Sequence, residues 1–365
     1  MTFAFTDEQQ ELRSTAARFL EEKSSSATVR ELMESDTGFD EGTWKQMADL
    51  GWSGMAIPEE YGGLGFGFVE LTVLMEEMGR KLLPAPFLSS VILGANAILN
   101  AGSDAQKKEV LPGIADGTTR ASLAFVEPSG KWDIDAIEVS ASDGKISGTK
   151  SYVLDGHTAT LLVVAAKSNG GVSLYLVDPD AEGVTRTKLE TLDMTRKQAK
   201  IEFNNTPATL LGEGASGDAL QKTLDQAAAV LSAEMVGGSQ ACLDASTSYA
   251  KERYQFGRPI GSFQAIKHKC ANMLMEVEMA RSAAYYAGWA AADDPEELPL
   301  AASLAKAYCS DAYFHAAAEN IQIHGGIGFT WEHDAHLYFR RAKSSEIYLG
   351  DATYHRELVA QKLGV

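Results

Sequence analysis

Two stretches of this chain carry side chains with the chemistry of a binding site. "RYQFGRPIGSFQ" (residues 253–264) places Arg253, Gln255 and Gln264 in one short segment, with Phe256 between them. A guanidinium pairs with a phosphate oxygen through parallel N–H donors, and the two amides add further donors. Further along, "QIHGG" sets Gln322 just ahead of Gly325 and Gly326. Paired glycines let a backbone approach a ligand closely. Spacing alone leaves a second reading open, in which Arg253 is a surface charge and the glycines form a helix C-cap.

A third stretch, "EIYLGDATYHRE" (residues 346–357), has the rhythm of a helix end, a Gly-Asp corner and a new helix. Asp351 in such a corner is expected to be an N-cap, and it is also a candidate proton acceptor. His324, His333, His336 and His355 fall in the last 45 residues, without a helix-face pair and carboxylate partner. They are read as polar loop and surface residues, not metal ligands. Cys242, Cys270 and Cys309 show no C-x-x-C spacing and predict neither a metal site nor a disulfide.

The elements that must position these residues fall into three textures. Residues 1–118 read as helical, opened by a Thr6/Gln9 capping box and interrupted by the Gly-rich loop "PEEYGGLG". Residues 119–215 hold six short β-rich runs between turn signals such as "SDGK" and "SNGG", which predict a small barrel or sandwich. Residues 216–365 return to long apolar helices, the first interrupted at Gly237-Gly238, and predict a four-helix bundle with surface to bury between subunits. The chain has 365 residues, 45% hydrophobic and 22% charged, as in an ordinary globular protein. Its net charge of −18 argues against nucleic acid and anionic membrane surfaces, so an anionic ligand needs a local basic or N–H-rich pocket. No apolar run is long enough for a transmembrane helix, and "MTFAFTDEQQ" has no signal-peptide pattern, so a cytoplasmic protein is expected.

The order of helices, β domain and helical bundle resembles the acyl-CoA dehydrogenase family over nearly the whole chain. Four stretches carry the resemblance: "PEEYGGLGFG", "SLAFVEPSG" with "GTKSYVLDG", "KERYQFGRPIGSFQAIKHKCANM", and "QIHGGIGFTWEHDAHLYFRRAK". It implies that family's mainly α fold with a β middle domain, an FAD cofactor and an acyl-CoA substrate. It implies an FAD-diphosphate role for Arg253, Gln255, Phe256 and Gln264, and an ADP-side role for Gln322, Gly325 and Gly326. It also implies an oligomer in which the arginine and the glycine loop reach a neighbour's FAD, and an electron-transferring flavoprotein as acceptor.

The chain departs from the family pattern on one side of the implied site. Val126 and Leu154 stand where the family has hydroxyl residues near the flavin, and Lys131-Trp132-Asp133 replaces Gly-Ser-Asp. The two places from which the family draws its catalytic glutamate are Leu349 and Ala227 here. Neither side chain accepts a proton, which leaves Asp351 as a weak candidate base. Three expectations follow. The first is a short subunit of a heteromeric (α2β2) steroid side-chain type dehydrogenase, sharing FAD with a homologous partner that supplies the glutamate. The second is a self-sufficient homotetramer with a displaced base. The third is a non-catalytic flavin-binding relative.

Overall fold

The structure, a computed structural model, describes residues 5–168 and 170–365. The chain forms two compact units. One contains the described residues up to Arg30, Phe68–Leu83 and Ala228–Val365; the other contains Glu31–Gly67 and Pro84–Ala227. The helices of the N-terminal third are α1 (Asp7–Lys23), α2 (Ser26–Glu34), α3 (Glu41–Asp49), α4 (Phe68–Arg80), α5 (Ala95–Ala101) and α6 (Asp104–Ala115). A π-helical turn, Leu88–Gly94, leads into α5. The capping box at α1 forms as its sequence requires: the Gln9 N–H donates to Thr6 Oγ1, and the Thr6 N–H donates to Gln9 Oε1. Ser103 and Gln106 repeat the device at α6.

The strands are β1 (Ala121–Ala124), β2 (Ser140–Ser142), β3 (Lys145–Leu154), β4 (Leu161–Ser168), β5 (Gly171–Val177), β6 (Val184–Lys188), β7 (Gln198–Pro207) and β8 (Thr209–Leu210). They form one sheet in the order β6-β7-β3-β2-β4-β5-β8, with β1 parallel to β4. The six β-rich runs account for β1 to β5 and β7; the sheet also has β6 and β8. β6 reads "VTRTK", too polar to signal a strand, because it lies on the sheet edge and, among the described residues, pairs with β7 alone. Ile146, Val153, Leu162, Val164, Ile201 and Phe203 pack together as the core of this unit.

Beside that core sits a buried ion pair. Lys150 Nζ donates to Glu127 Oε1 at 2.8 Å and to the Phe125 carbonyl at 2.9 Å. The Glu127 carboxylate also accepts the N–H groups of Glu138 and Val139, both at 2.9 Å. Burial pulls Lys150 down to about 8. Burial would raise Glu127, but Lys150 and the backbone donors hold it below the usual carboxylate range.

The C-terminal helices are α7 (Gly217–Glu252), α8 (Gln264–Asp293), α9 (Leu298–His324), α10 (Ala335–Ile347) and α11 (Ala352–Leu363), with the two-stranded β9 (Tyr254–Gln255) and β10 (Arg258–Pro259) between α7 and α8. α7 runs unbroken through Gly237-Gly238, correcting the expected interruption. The glycines are there for packing: a Cβ on Gly237 would lie 1.8 Å from the Glu76 carbonyl of α4, and one on Gly238 would lie 2.3 Å from the Tyr313 ring of α9.

The Lys150–Glu127 pair yields a stability prediction. Glu127→Ala strands a buried lysine and two backbone donors, so it should cost roughly 3–5 kcal/mol. A urea titration followed by circular dichroism should show the midpoint falling, and an unchanged midpoint would mean the pair is not structural.

Candidate active site

In the helical unit, β9 and β10 form a hairpin directly after α7. Its two-residue turn is Phe256 and Gly257, with φ of +53° and +76°, the left-handed pair that tight hairpins require. The Ile260 N–H donates to the Arg253 carbonyl at 2.7 Å and closes the hairpin base. Arg253, Gln255, Phe256 and Gln264 are all exposed, and Phe256 is 91% exposed. Arg253 makes no side-chain hydrogen bond or ion pair among the described residues. The neighbouring Arg258, by contrast, lies 4.1 Å over the Phe263 ring.

Gln322, Gly325 and Gly326 stand at the end of α9, all exposed. The Gly325 N–H donates to the carbonyls of Gln322 and Ile321, so Gly325 does cap the helix. Its φ is +64°, and a Cβ on Gly325 or Gly326 would meet nothing within 4 Å. The cap and an open backbone surface therefore coexist at one turn.

The fold brings these two segments together. Tyr249, one turn before Arg253, stacks on His324, the residue before Gly325, with ring centroids 4.3 Å apart. One further turn back, Ser246 Oγ donates to Asn320 Oδ1 at 3.0 Å. The Tyr249–His324 stack was not legible from the motifs, although a histidine placed directly before Gly-Gly was its available signal. His324 and His355 are buried, which corrects the expectation of surface histidines: His324 is held in the stack, and His355 bonds the Leu349 carbonyl. Among the described residues no group of three or more His, Cys, Asp or Glu could hold a metal.

In the other unit, Val126 is tied to β3 at Ser151, whose N–H donates to the Val126 carbonyl at 2.8 Å. Val126 is 3% exposed and Leu154 1%. The Leu154 carbonyl is already taken by Ser122 Oγ at 2.6 Å. Tyr152 sits at an irregularity of β3 with φ +57°, its side chain partly exposed. This region offers an aromatic face and backbone groups, but no side-chain hydroxyl at 126 or 154.

The carboxylates near the two expected base positions have other partners. Ala227 is buried on α7, and Leu349 is 5% exposed. Asp351 is exposed, and its Oδ1 accepts the Tyr354 N–H at 2.8 Å as the N-cap of α11. Glu346 pairs with Lys343 at 2.6 Å, Asp225 accepts from Gln221 at 3.0 Å, and Glu234 accepts from Arg341 at 3.2 Å.

Comparison with known proteins identifies the family of the chain. Family profiles for the acyl-CoA dehydrogenase N-terminal and C-terminal domains match residues 6–118 and 216–364. Acyl-CoA dehydrogenase IpdE2 of Mycolicibacterium smegmatis is 32% identical over 94% of this chain and 95% of its own length. Among solved structures, a variant of the Tcur3481–Tcur3483 steroid ACAD is 31% identical with a TM-score of 0.89, covering 98% of this chain and 99% of that one. The ChsE4–ChsE5 complex from Mycobacterium tuberculosis is 26% identical with a TM-score of 0.92, covering 100% and 99%. The chain belongs to the acyl-CoA dehydrogenase family. Membership makes it a member of an oxidoreductase family that acts on acyl-CoA with FAD as cofactor.

The capping geometry of Asp351 sets a test. Asp351→Ala should lower stability by about 1 kcal/mol, whereas Asp351→Asn keeps a cap acceptor and should be close to neutral. Paired thermal melts check this, and equal losses in both variants would show that the charge matters beyond capping.

Proposed function

We propose that this chain is the short subunit of a heteromeric acyl-CoA dehydrogenase. It lends the FAD-diphosphate half of a site to a homologous partner that holds the flavin ring, the base and the acyl-CoA. The observation that carries the reading is the division of the candidate residues. Arg253, Gln255, Gln264 and the Gly325-Gly326 turn are exposed, and their side-chain and capping commitments among the described residues are the helix cap at Gly325 and the contact of the Gln264 amide with the His268 ring at 3.4 Å. Val126, Leu154 and Leu349 are buried and apolar where a flavin or substrate would need polar partners.

FAD, when bound, supplies the two-electron acceptor for α,β-dehydrogenation. Toward it, Arg253 would pair with diphosphate oxygens, Gln255 and Gln264 would donate hydrogen bonds, and Phe256 would pack against the nucleotide. The Gly325-Gly326 backbone leaves room for the ADP half. The residues fit that half of the cofactor. At the ring half, replacing a hydroxyl by an aliphatic group leaves a flavin heteroatom without its donor, at a cost of about 1–3 kcal/mol each in a dry site.

Two further observations support an assembly. Leu274, Met275 and Met279 on α8 and Leu304 on α9 are exposed large apolar residues, as in a helical face that meets another subunit. The similar ChsE4–ChsE5 structure is of a complex, and the Tcur3481–Tcur3483 protein is described as a steroid ACAD. A bulky steroid-type acyl-CoA, an α2β2 assembly, an electron-transferring flavoprotein as acceptor and a cytoplasmic location complete the proposal.

The test uses the chain co-expressed with its partner and the chain alone. Arg253→Ala in the assembly should reduce retained FAD, because the phosphate loses a partner worth roughly 1.5–3 kcal/mol. Flavin absorbance per protein should drop in proportion, and undiminished flavin would overturn the phosphate role. In the isolated chain, Val126→Thr with Leu154→Thr should raise FAD occupancy without creating dehydrogenase activity. Activity appearing in that double variant would mean a base is present after all.

A further inference from the structure

The corner between α10 and α11 is built more firmly than a plain connection requires. Lys306 of α9 is fully buried, yet its ammonium reaches out of its own helix to two carbonyls of the corner. It donates to the Glu346 carbonyl at 2.9 Å and to the Gly350 carbonyl at 2.8 Å, with Ser310 Oγ at 3.2 Å. From the other side His355 of α11, also buried, donates from Nε2 to the Leu349 carbonyl at 2.9 Å. Burial, reinforced by Lys306, pushes His355 down to about 3, so it remains a neutral N–H donor at physiological pH. Three backbone carbonyls within five residues are thus held by two buried side chains from two helices.

Within this clamp the backbone is unusual. Leu349 has φ +65°, a left-handed conformation that a leucine rarely adopts. Gly350 follows at +96°, and a Cβ there would lie 2.3 Å from the Tyr354 ring. A leucine does not choose this geometry by itself; such conformations persist where the surroundings over-determine them. Leu349 is also one of the two positions at which the family resemblance implies the catalytic glutamate.

We infer that Lys306 and His355 are positioning residues: together they set the backbone of residues 346–350, so that the geometry of position 349 does not depend on the side chain it carries. The corner is a rigid seat at which a side chain of position 349 is presented, and this chain carries a leucine there. Its interest for catalysis rests on the reading that the family's base position falls at Leu349; the clamp itself does not. Leu349→Glu should therefore enter the existing corner without moving it.

The experiment is amide hydrogen exchange on the full-length chain, read at the corner, where the amides of Tyr348, Gly350 and Tyr354 are hydrogen-bonded. Lys306→Met and His355→Leu should each raise exchange there by about tenfold or more, with the β unit unchanged. His355→Gln, which keeps an N–H donor at the same reach, should restore protection, and Leu349→Glu should exchange like the wild type. In the Leu349→Glu background, adding His355→Leu should shift the NMR titration of the new carboxyl toward the ordinary carboxylate value, and His355→Gln should reverse that shift. The inference is overturned if His355→Leu leaves the corner as protected as before, if His355→Gln fails to rescue it, or if Leu349→Glu alone loosens it as much as losing the clamp. None of these readouts involves FAD or a partner, so they stand or fall apart from the heteromer proposal.

Discussion

The helical unit depends on one buried carboxylate. Glu76 of α4 accepts hydrogen bonds from Arg13 of α1 at 2.9 Å and Tyr285 of α8 at 2.5 Å, and it pairs with Arg281 of α8. Arg281 extends the knot to Gln240 of α7 at 2.6 Å. Burial and the adjacent carboxylate push the Tyr285 hydroxyl up to about 12, so it stays a donor. Removing one partner of such a group leaves a desolvated charge and costs roughly 3–5 kcal/mol, which is why four helices hold one relative geometry here. That geometry matters because the Arg253 hairpin hangs between the end of α7 and the start of α8. Gly237 allows the same alignment from the other side, by letting the α4 and α7 backbones touch.

On this scaffold the candidate residues fall into two groups that differ in exposure and polarity. The residues proposed to meet phosphates are exposed on the β9–β10 hairpin, the start of α8 and the end of α9 in the helical unit, and Val126, Leu154 and Leu349, the positions proposed for the flavin ring and the base, are apolar and buried. The side chains around the apolar positions are themselves held: Lys150 and Glu127 form a buried pair beside Val126, and Lys306 and His355 bond the corner at Leu349.

Much of this could be read in the sequence because it is local. The Thr6 and Ser103 caps and the Asp351 cap each depend on a few neighbouring residues. The family resemblance reached the whole fold because its motifs lie in order along the chain. What stayed hidden depends on contacts between distant residues. β6 is a strand only because β7 lies beside it. Gly237-Gly238 looks like a helix break until α4 and α9 are seen pressed against it. His324 and His355 look like surface residues because their burial is conferred by Tyr249 and by the Leu349 corner. Lys306 gave one signal, a lone cation in the otherwise apolar run "AASLAKAYCS", and its target carbonyls lie about 40 residues further along.

The central claim is that this chain holds only part of a flavin site, and native mass spectrometry tests it most directly. The protein would be measured alone and after co-purification with a homologous dehydrogenase subunit, counting chains and FAD in each species. The account predicts little or no FAD on the isolated chain, and an α2β2 assembly with fewer FAD than chains. A homotetramer of this chain alone carrying one FAD per protomer would contradict it.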